Sequence, residues 1–298
     1  MYTYAQQCIM DLGDNYTLLY SFICREILDE FGIEGERAVR EATRRYGRDR
    51  GIHSRMEHIE KGYKVNMQTL FTAGSGLPKD PRFRRELQEL NPEERISHTL
   101  VCPRADIWKA YGEREIGRIY CEEFHPACYE HYAYDVGHTN LSKTLTQECD
   151  EYCAFNVTLR AQNLPRELRS VCFAEYDPGF VQPPYEAVAV SPKAGFEKLC
   201  IKLYYYLLET AVESFGESGA RAVERALIKM AEDGAKRARQ TAKNYGVKYD
   251  EQLIEDTYPF SLDPEKTELW KEYRNYGAMQ RIKDVFVAHM RELIKENV

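Results

Sequence analysis

Residues 31–39 read FGIEGERAV, and residues 215–223 read FGESGARAV. The two stretches align without gaps at an offset of 184 residues, each between patterns typical of helices. Gly32 and Gly216 suit the left-handed conformation that ends a helix. Any two amphipathic helices share some alanine, arginine and valine, but here the identity runs through the turn. The repetition therefore predicts a duplicated unit: a helix, a short turn and a longer amphipathic helix.

Only the first copy continues into β-structure. A strand-like run at residues 96–102 and a β-hairpin formed by residues 141–147 and 152–159 follow its helices. A helical stretch at residues 113–134 separates them, with an interruption expected at Pro126 because proline lacks the N–H that continues a helix. We therefore expect a small antiparallel sheet beside the helices of this copy.

The remaining chain divides at a proline-rich segment. The predicted organisation is an α+β module at residues 1–160, a linker at 161–194 with five prolines, and a helical half-repeat at 195–298. Residues 72–94, rich in glycine and proline, are predicted to form a loop, and the last helix to run from about residue 268 to 296. The predicted fold class is helix-rich α+β, with any chemistry confined to the first copy.

Composition narrows the class of function. Hydrophobic residues make up 43% and charged residues 30% of the 298, which describes a globular protein. A net charge of -7 argues against a nucleic-acid-binding protein, and no apolar run is long enough to cross a membrane. Nine cysteines without a secretory signal are read as reduced thiols. We expect a cytoplasmic protein with a small-molecule substrate, and leave assembly with further copies of the chain open.

The densest group of reactive side chains lies between residues 120 and 131. Helical spacing places Cys121, His125, Cys128 and Tyr132 in one stripe. An imidazole one turn from a thiol can lower the thiol pKa and hold the thiolate, which makes Cys121 with His125 a candidate catalytic pair. The alternative is that the stripe packs in the core, as cysteines and aromatic residues on a helix commonly do.

Three charged residues near this stripe are further candidates. Glu123 and Asp135 are candidate acid–base carboxylates, although solvated or capping roles are common for such residues. Arg118 lies almost one turn before Cys121, where its guanidinium could meet a substrate carboxylate or form a surface ion pair. The cysteine and histidine spacings match zinc sites poorly, and no phosphate-binding glycine loop is present. We therefore expect neither a metal nor a cofactor.

These residues resemble the L-2-amino-thiazoline-4-carboxylic acid hydrolase family. The resemblance runs from about Ile119 to Leu159 and extends to the preceding helices, about half of the chain. Its marks are Tyr120-Cys121, Asp135, Lys143-Thr144-Leu145-Thr146 and Cys153-Ala154-Phe155. The chain departs from the family pattern at Cys149, where glycine is usual, and at Ala154, where an acidic residue is common.

The resemblance implies hydrolytic opening of a small heterocycle that contains sulfur and nitrogen and bears a carboxylate, giving an N-carbamoyl amino acid. Either Cys121 attacks the amidine carbon as a thiolate, with His125 or a carboxylate moving protons, or a carboxylate activates water. The residues expected to contact substrate are Arg118, Cys128, Tyr132, Thr144 and Cys153. A different class remains open: a non-catalytic binding or sensor module that resembles 4-vinyl reductase-type domains.

Overall fold

The computed structural model describes residues 2–73, 77, 79–186 and 189–296. The helices are α1 (Tyr4–Glu60), α2 (Met67–Thr72), α3 (Pro103–Ala110), α4 (Arg114–Tyr132), α5 (Arg166–Cys172), α6 (Pro192–Phe215), α7 (Glu217–Tyr245), α8 (Glu251–Thr257), α9 (Ala278–Arg281) and α10 (Ala288–Lys295). The strands are β1 (Arg84–Leu90), β2 (Glu94–Val101), β3 (His138–Lys143) and β4 (Cys153–Thr158). The predicted fold class, helix-rich α+β with a small antiparallel sheet, is confirmed.

The long helix α1 is a hairpin of two antiparallel arms, residues 4–31 and 33–60. Gly32 joins them with φ 56° and ψ -129°, values outside any helix. The Tyr20 hydroxyl lies 2.9 Å from Thr43 Oγ1 across the arms, near the turn. Gly35 faces the Ile27 carbonyl so closely that a Cβ atom at position 35 would collide with it. The positive φ agrees with the predicted glycine turn, but its ψ angle lies outside the left-handed helical region.

Helices α6 and α7 form a second hairpin with the same turn. Gly216 has φ 60° and ψ -139°. Gly219 lies against the Ala211 carbonyl, the same contact as Gly35 with Ile27 at an offset of 184 residues. Common descent of the two hairpins from one duplicated unit remains a prediction. One hydrophobic core includes buried residues of both hairpins, so they pack as a single body.

The sheet has the strand order β1-β2-β4-β3, and all its pairs are antiparallel. Strands β3 and β4 pair with Thr139 opposite Val157, close to the predicted hairpin. The expectation of a loop at residues 72–94 was wrong in part, because β1 occupies residues 84–90. β1 is an edge strand whose residues are mostly exposed and charged, so it lacks the apolar alternation by which strands are recognised.

Two predicted helix limits need correction. Helix α4 passes through Pro126 without a break, held along its length against the second arm of α1. The last helical stretch begins at Ala278 rather than near residue 268, and the π-helical segment Ile282–Val287 joins α9 to α10. Residues 268–271 and 275–277 are 3₁₀ turns instead, and Tyr276 and Gly277 both have positive φ values, which stops the helical path there.

The segment between residues 161 and 194 contains the short helix α5 and two 3₁₀ turns. Cys172 and Phe173 of this segment are buried in a second, smaller hydrophobic cluster beneath the sheet. In the described part of the chain, no helix is both long and apolar enough to span a lipid bilayer.

Candidate active site

A cavity of about 740 Å³ lies between the second arm of α1, helix α4 and the start of α6. Gly47 and Gly51 bring the arm against α4, because a Cβ atom at position 47 would come within 2.8 Å of the Ala127 Cβ. This close approach places Tyr46 and Arg50 beside α4 in the cavity wall. Space for a small ligand therefore exists next to the helix that the sequence singled out.

The wall of this cavity is strongly cationic. Among the described residues its cations are Arg50, Lys61, Lys79, Arg85, Arg104, Lys198 and Lys202, and its carboxylates are Glu57 and Glu186. Glu57 already pairs with Lys61 at 2.6 Å. The surplus of positive charge suits a negatively charged ligand and disfavours a metal cation.

Three tyrosine hydroxyls meet at one end of the cavity. The Tyr16 hydroxyl lies 3.1 Å from that of Tyr46 and 2.6 Å from that of Tyr120. The Arg104 guanidinium lies 4.9 Å from the Tyr16 ring centroid. Arg50, one turn after Tyr46 on the same arm, carries a buried Nε atom with no hydrogen-bond partner in the described structure. Hydroxyl and guanidinium donors therefore lie together at this end of the cavity.

His125 is the predicted catalytic residue that best fits the cavity. It lines the wall, and its buried Nδ1 atom has no hydrogen-bond partner among the described residues. Burial, with the positive charges of Arg104, Arg85 and Arg95, lowers the pKa of His125 from 6.5 to about 3. The imidazole is therefore neutral at physiological pH.

Cys121 occupies a different environment. It is absent from the described cavity wall and is only 9% exposed. Burial, followed by the neighbouring Cys102 and Cys153 sulfurs, raises the pKa of Cys121 well above 9. The thiol is therefore protonated near neutrality. It shares the helical stripe with His125, as predicted, but the thiolate that a nucleophile requires is disfavoured.

The predicted charged residues lie in surface ion pairs. Glu123 binds Arg40 at 2.7 Å and Arg44 at 2.8 Å. Asp135, 68% exposed, lies 3.3 Å from His131 Nε2. None of these side chains lines the cavity described above.

Arg118 likewise lies outside the cavity. Its guanidinium donates to Glu115 at 3.0 Å and to Glu122 at 2.7 Å, both on its own helix. It borders a second, smaller pocket of about 390 Å³ together with Thr146 and Glu148. Of the two uses weighed for Arg118, the surface ion pair is the one present.

Four residues were expected to contact substrate from the stripe and the hairpin. Cys128 lines the cavity, and burial raises its pKa to about 11. Tyr132 is fully buried, with its hydroxyl 2.9 Å from His58 Nδ1. Thr144 is buried with its hydroxyl 2.8 Å from that of Thr146. The Cys153 sulfur accepts a hydrogen bond from the Leu145 amide at 3.3 Å. The last three support the packing of α4 and the sheet.

Sequence reasoning missed the cationic wall. One signal was available: Tyr46, Arg50, His53 and Glu57 recur at spacings of four, three and four, which forms a polar stripe on one helix face. The second hairpin was expected to take no part, yet Lys198 and Lys202 of α6 contribute to the wall. Nothing in the local pattern of α6 indicated which of its lysines would line the cavity.

Beside the cavity, Asp49 ties the two hairpins together. Its carboxylate accepts a hydrogen bond from Lys202 Nζ at 2.7 Å, from the Tyr273 hydroxyl at 3.2 Å and from the Tyr206 hydroxyl at 3.3 Å. Asp49, His53 and Glu272 also place one ligand atom each within 4.8 Å of the others. The lysine already neutralises this carboxylate, so the group is an ion-pair network in which the cation is Lys202.

The comparison with protein families matches the part of the chain that contains most of this site. The model of the L-2-amino-thiazoline-4-carboxylic acid hydrolase family matches residues 15–157. Over this segment, just under half of the chain, the predicted resemblance to that family is confirmed. The family segment contains Tyr16, Tyr46, Arg50, Arg104 and His125, whereas Lys198 and Lys202 lie beyond it. No curated protein and no solved structure was found to match the chain.

Proposed function

We propose that the protein is a hydrolase that opens a small, carboxylate-bearing heterocycle of sulfur and nitrogen. The observation that carries the proposal is the cavity beside α4, where His125, whose Nδ1 has no hydrogen-bond partner among the described residues, lines a wall rich in cations. The name of the family supplies the substrate class, a thiazoline carboxylate. A cavity of about 740 Å³ has room for such a ligand.

The proposed reaction adds one water to the ring. The water oxygen bonds to the amidine carbon and the ring C–S bond breaks, so that one water proton ends on the departing sulfur and the other on the former ring nitrogen. The product is an N-carbamoyl amino acid with a free thiol. The protein must hold the ring, accept a proton from water and return a proton to sulfur.

We assign the proton transfer to His125. With a pKa of about 3 it is a weak base in the empty cavity, because of burial and the charges of Arg104, Arg85 and Arg95. A bound carboxylate offsets part of that positive field and raises the basicity of the imidazole. The anionic substrate would thereby activate its own catalytic base. Direct attack by Cys121 has less support, since that thiol is protonated and lies outside the described cavity wall.

The test is incubation of the protein with L-2-amino-thiazoline-4-carboxylate. We expect a product heavier by one water, detected by mass spectrometry, and release of one thiol per substrate in the protein-free filtrate. His125→Gln should lose this activity while its thermal unfolding stays close to that of the wild type. His138→Gln, at an exposed position of β3, is the matched control and should retain it.

Two results would count against the proposal. Turnover that survives in His125→Gln would remove the imidazole from the mechanism. Tight binding of the thiazoline carboxylate without any turnover would instead favour the binding-module alternative.

A further inference from the structure

Two guanidinium groups at the tyrosine end of the cavity have no anionic partner among the described residues, and the Arg104 guanidinium contacts the Tyr16 and Tyr120 rings. Neither Arg50 nor Arg104 has a hydrogen-bonded or ion-paired acceptor in the described part of the chain, although both line the wall. By contrast, the buried Lys202 in the same wall is neutralised by Asp49 at 2.7 Å. A buried charge without a counter-ion is costly, so an unpaired arginine pair facing open space points to an anionic ligand.

The tyrosine cluster provides a third hydrogen-bond donor beside the two guanidinium groups. Tyr16 donates its single hydroxyl proton to Tyr46, so the short contact with Tyr120 requires Tyr120 to donate to Tyr16. The Tyr46 proton is then left with no acceptor among the described residues. Burial raises the pKa of Tyr46 well above 10, so the hydroxyl keeps this proton throughout the physiological range.

The fold holds these donors together. Tyr46 and Arg50 lie one turn apart on the second arm of α1, on the side where Gly47 and Gly51 admit α4. Arg104 enters from α3 and lies 4.9 Å from the Tyr16 ring centroid. The electrostatic environments of both guanidinium groups include Tyr16, Tyr46 and Tyr120. Hydrogen-bond donors from α1 and α3 therefore lie together at one end of the cavity.

We propose that Arg50, Arg104 and the Tyr46 hydroxyl form a carboxylate clamp that fixes the acid group of the substrate. A carboxylate has two oxygens with about four acceptor positions, which suits two guanidinium groups and one hydroxyl. The clamp deepens the proposed function by naming the groups that select an acid. It assigns to these residues the role that the sequence suggested for Arg118.

The experiment measures binding of an inert aromatic analogue, 2-aminothiazole-4-carboxylate, and of its uncharged carboxamide, by isothermal titration calorimetry. The wild type should prefer the acid. Arg104→Gln and Arg50→Gln should each weaken acid binding by about 10- to 100-fold, the effect of losing charge-assisted hydrogen bonds. Their affinity for the carboxamide should change by less than about threefold, since a neutral amide makes no such ion pair.

Matched variants separate recognition from folding. Arg118→Gln, which removes a surface ion pair, should bind both analogues as the wild type does. Arg104→Lys keeps the charge and should recover part of the preference for the acid. Tyr46→Phe should lose several-fold in acid affinity alone. Thermal unfolding of each variant shows whether a loss of binding is a loss of structure.

The clamp is overturned if the wild type binds the acid no more tightly than the amide. It is also overturned if folded Arg104→Gln and Arg50→Gln keep the preference for the acid. These outcomes are distinct from failure of the proposed function. A protein that shows the predicted preference but never hydrolyses the thiazoline retains the clamp and loses the hydrolase assignment.

Discussion

The Phe31 and Phe215 rings stack face to face, with centroids 3.8 Å apart and planes inclined by 1°. Each residue ends a helix immediately before a glycine turn, Gly32 in one hairpin and Gly216 in the other. Equivalent positions of two hairpins can touch one another in this way when the hairpins are related by a two-fold rotation. The stacked rings are the kind of contact that such a relationship would produce.

The stacking contact between Phe31 and Phe215 should itself contribute to the free energy of unfolding. We expect a double-mutant cycle of Phe31→Ala and Phe215→Ala to give a coupling energy of about 1 kcal/mol, the usual contribution of an aromatic pair. Urea unfolding measures it. Phe31→Ala combined with Val181→Ala, at a site that is 83% exposed, is the control and should be additive. Additivity for the stacked pair itself would contradict this reading.

The two glycine turns should respond alike to substitution. Gly32→Ala and Gly216→Ala should each cost about 1–3 kcal/mol of unfolding free energy, because their backbone angles are almost restricted to glycine. No atom lies within 4 Å of a Cβ placed at either site, so the cost is conformational rather than steric. Gly246→Ala, also sterically open but at left-handed helical angles of φ 65° and ψ 28°, should cost less. Equal losses at all three glycines would argue against this explanation.

The Asp49–Lys202 pair should matter more than a surface ion pair. The two side chains are 8% and 2% exposed. We expect Asp49→Asn to cost about 3 kcal/mol, because it leaves a buried ammonium without its carboxylate. The double variant Asp49→Asn, Lys202→Met should be less destabilised than the sum of the single changes. The control Arg37→Gln breaks an exposed pair with Glu34 and should cost less than about 1 kcal/mol in the same urea titration.

Substitution of Cys121 and substitution of His125 should have different effects on activity. Cys121→Ala should retain most of the turnover, since the thiol lies outside the described cavity wall. His125→Gln should reduce kcat by about 100-fold or more, the usual contribution of a general base. The pH profile of kcat should show an ionisation higher than that of kcat/KM, because only the bound substrate raises the pKa of His125 from about 3. Coincident profiles, or inactivation by Cys121→Ala, would favour thiolate attack.

Buried histidines should make the fold sensitive to acid. Burial lowers the pKa of His58 from 6.5 to about 4. Between these values the unfolded chain binds a proton that the folded protein does not, so stability is complete above pH 6.5 and falls as the pH decreases. The loss should approach about 1.4 kcal/mol per pH unit for each such group. Urea unfolding of His58→Gln and of the wild type at pH 7 and pH 5 measures this, and equal pH dependence would contradict it.

Much of the fold could be predicted from local patterns. The paired glycines indicated helical turns, and alternating side chains indicated β4 with Cys153, Phe155 and Val157 on its buried face. β1 could not be found this way, since an exposed edge strand needs no apolar alternation. The break predicted at Pro126 was wrong because contacts with α1 compensate for the missing hydrogen bond. Such tertiary contacts do not appear in the local sequence pattern.

The candidate site was predicted less completely, for a physical reason. His125 and Cys128 were found because they lie on one helix, with periodic spacing. Arg50, Arg104 and Lys198 come from three helices that meet only in the folded chain. In sequence each looks like an ordinary solvated helix charge, and only tertiary packing shows that it lines the cavity.

The cationic wall of the cavity has a consequence for how ligands arrive. The chain carries a net charge of -7, which repels a distant anion, whereas the cations of the wall attract an anion that has entered the cavity. Dissolved salt screens the long-range repulsion by the protein's net charge more than the short-range attraction by the cations inside the cavity. Capture of an acidic metabolite should therefore become faster, not slower, as ionic strength rises towards cellular values.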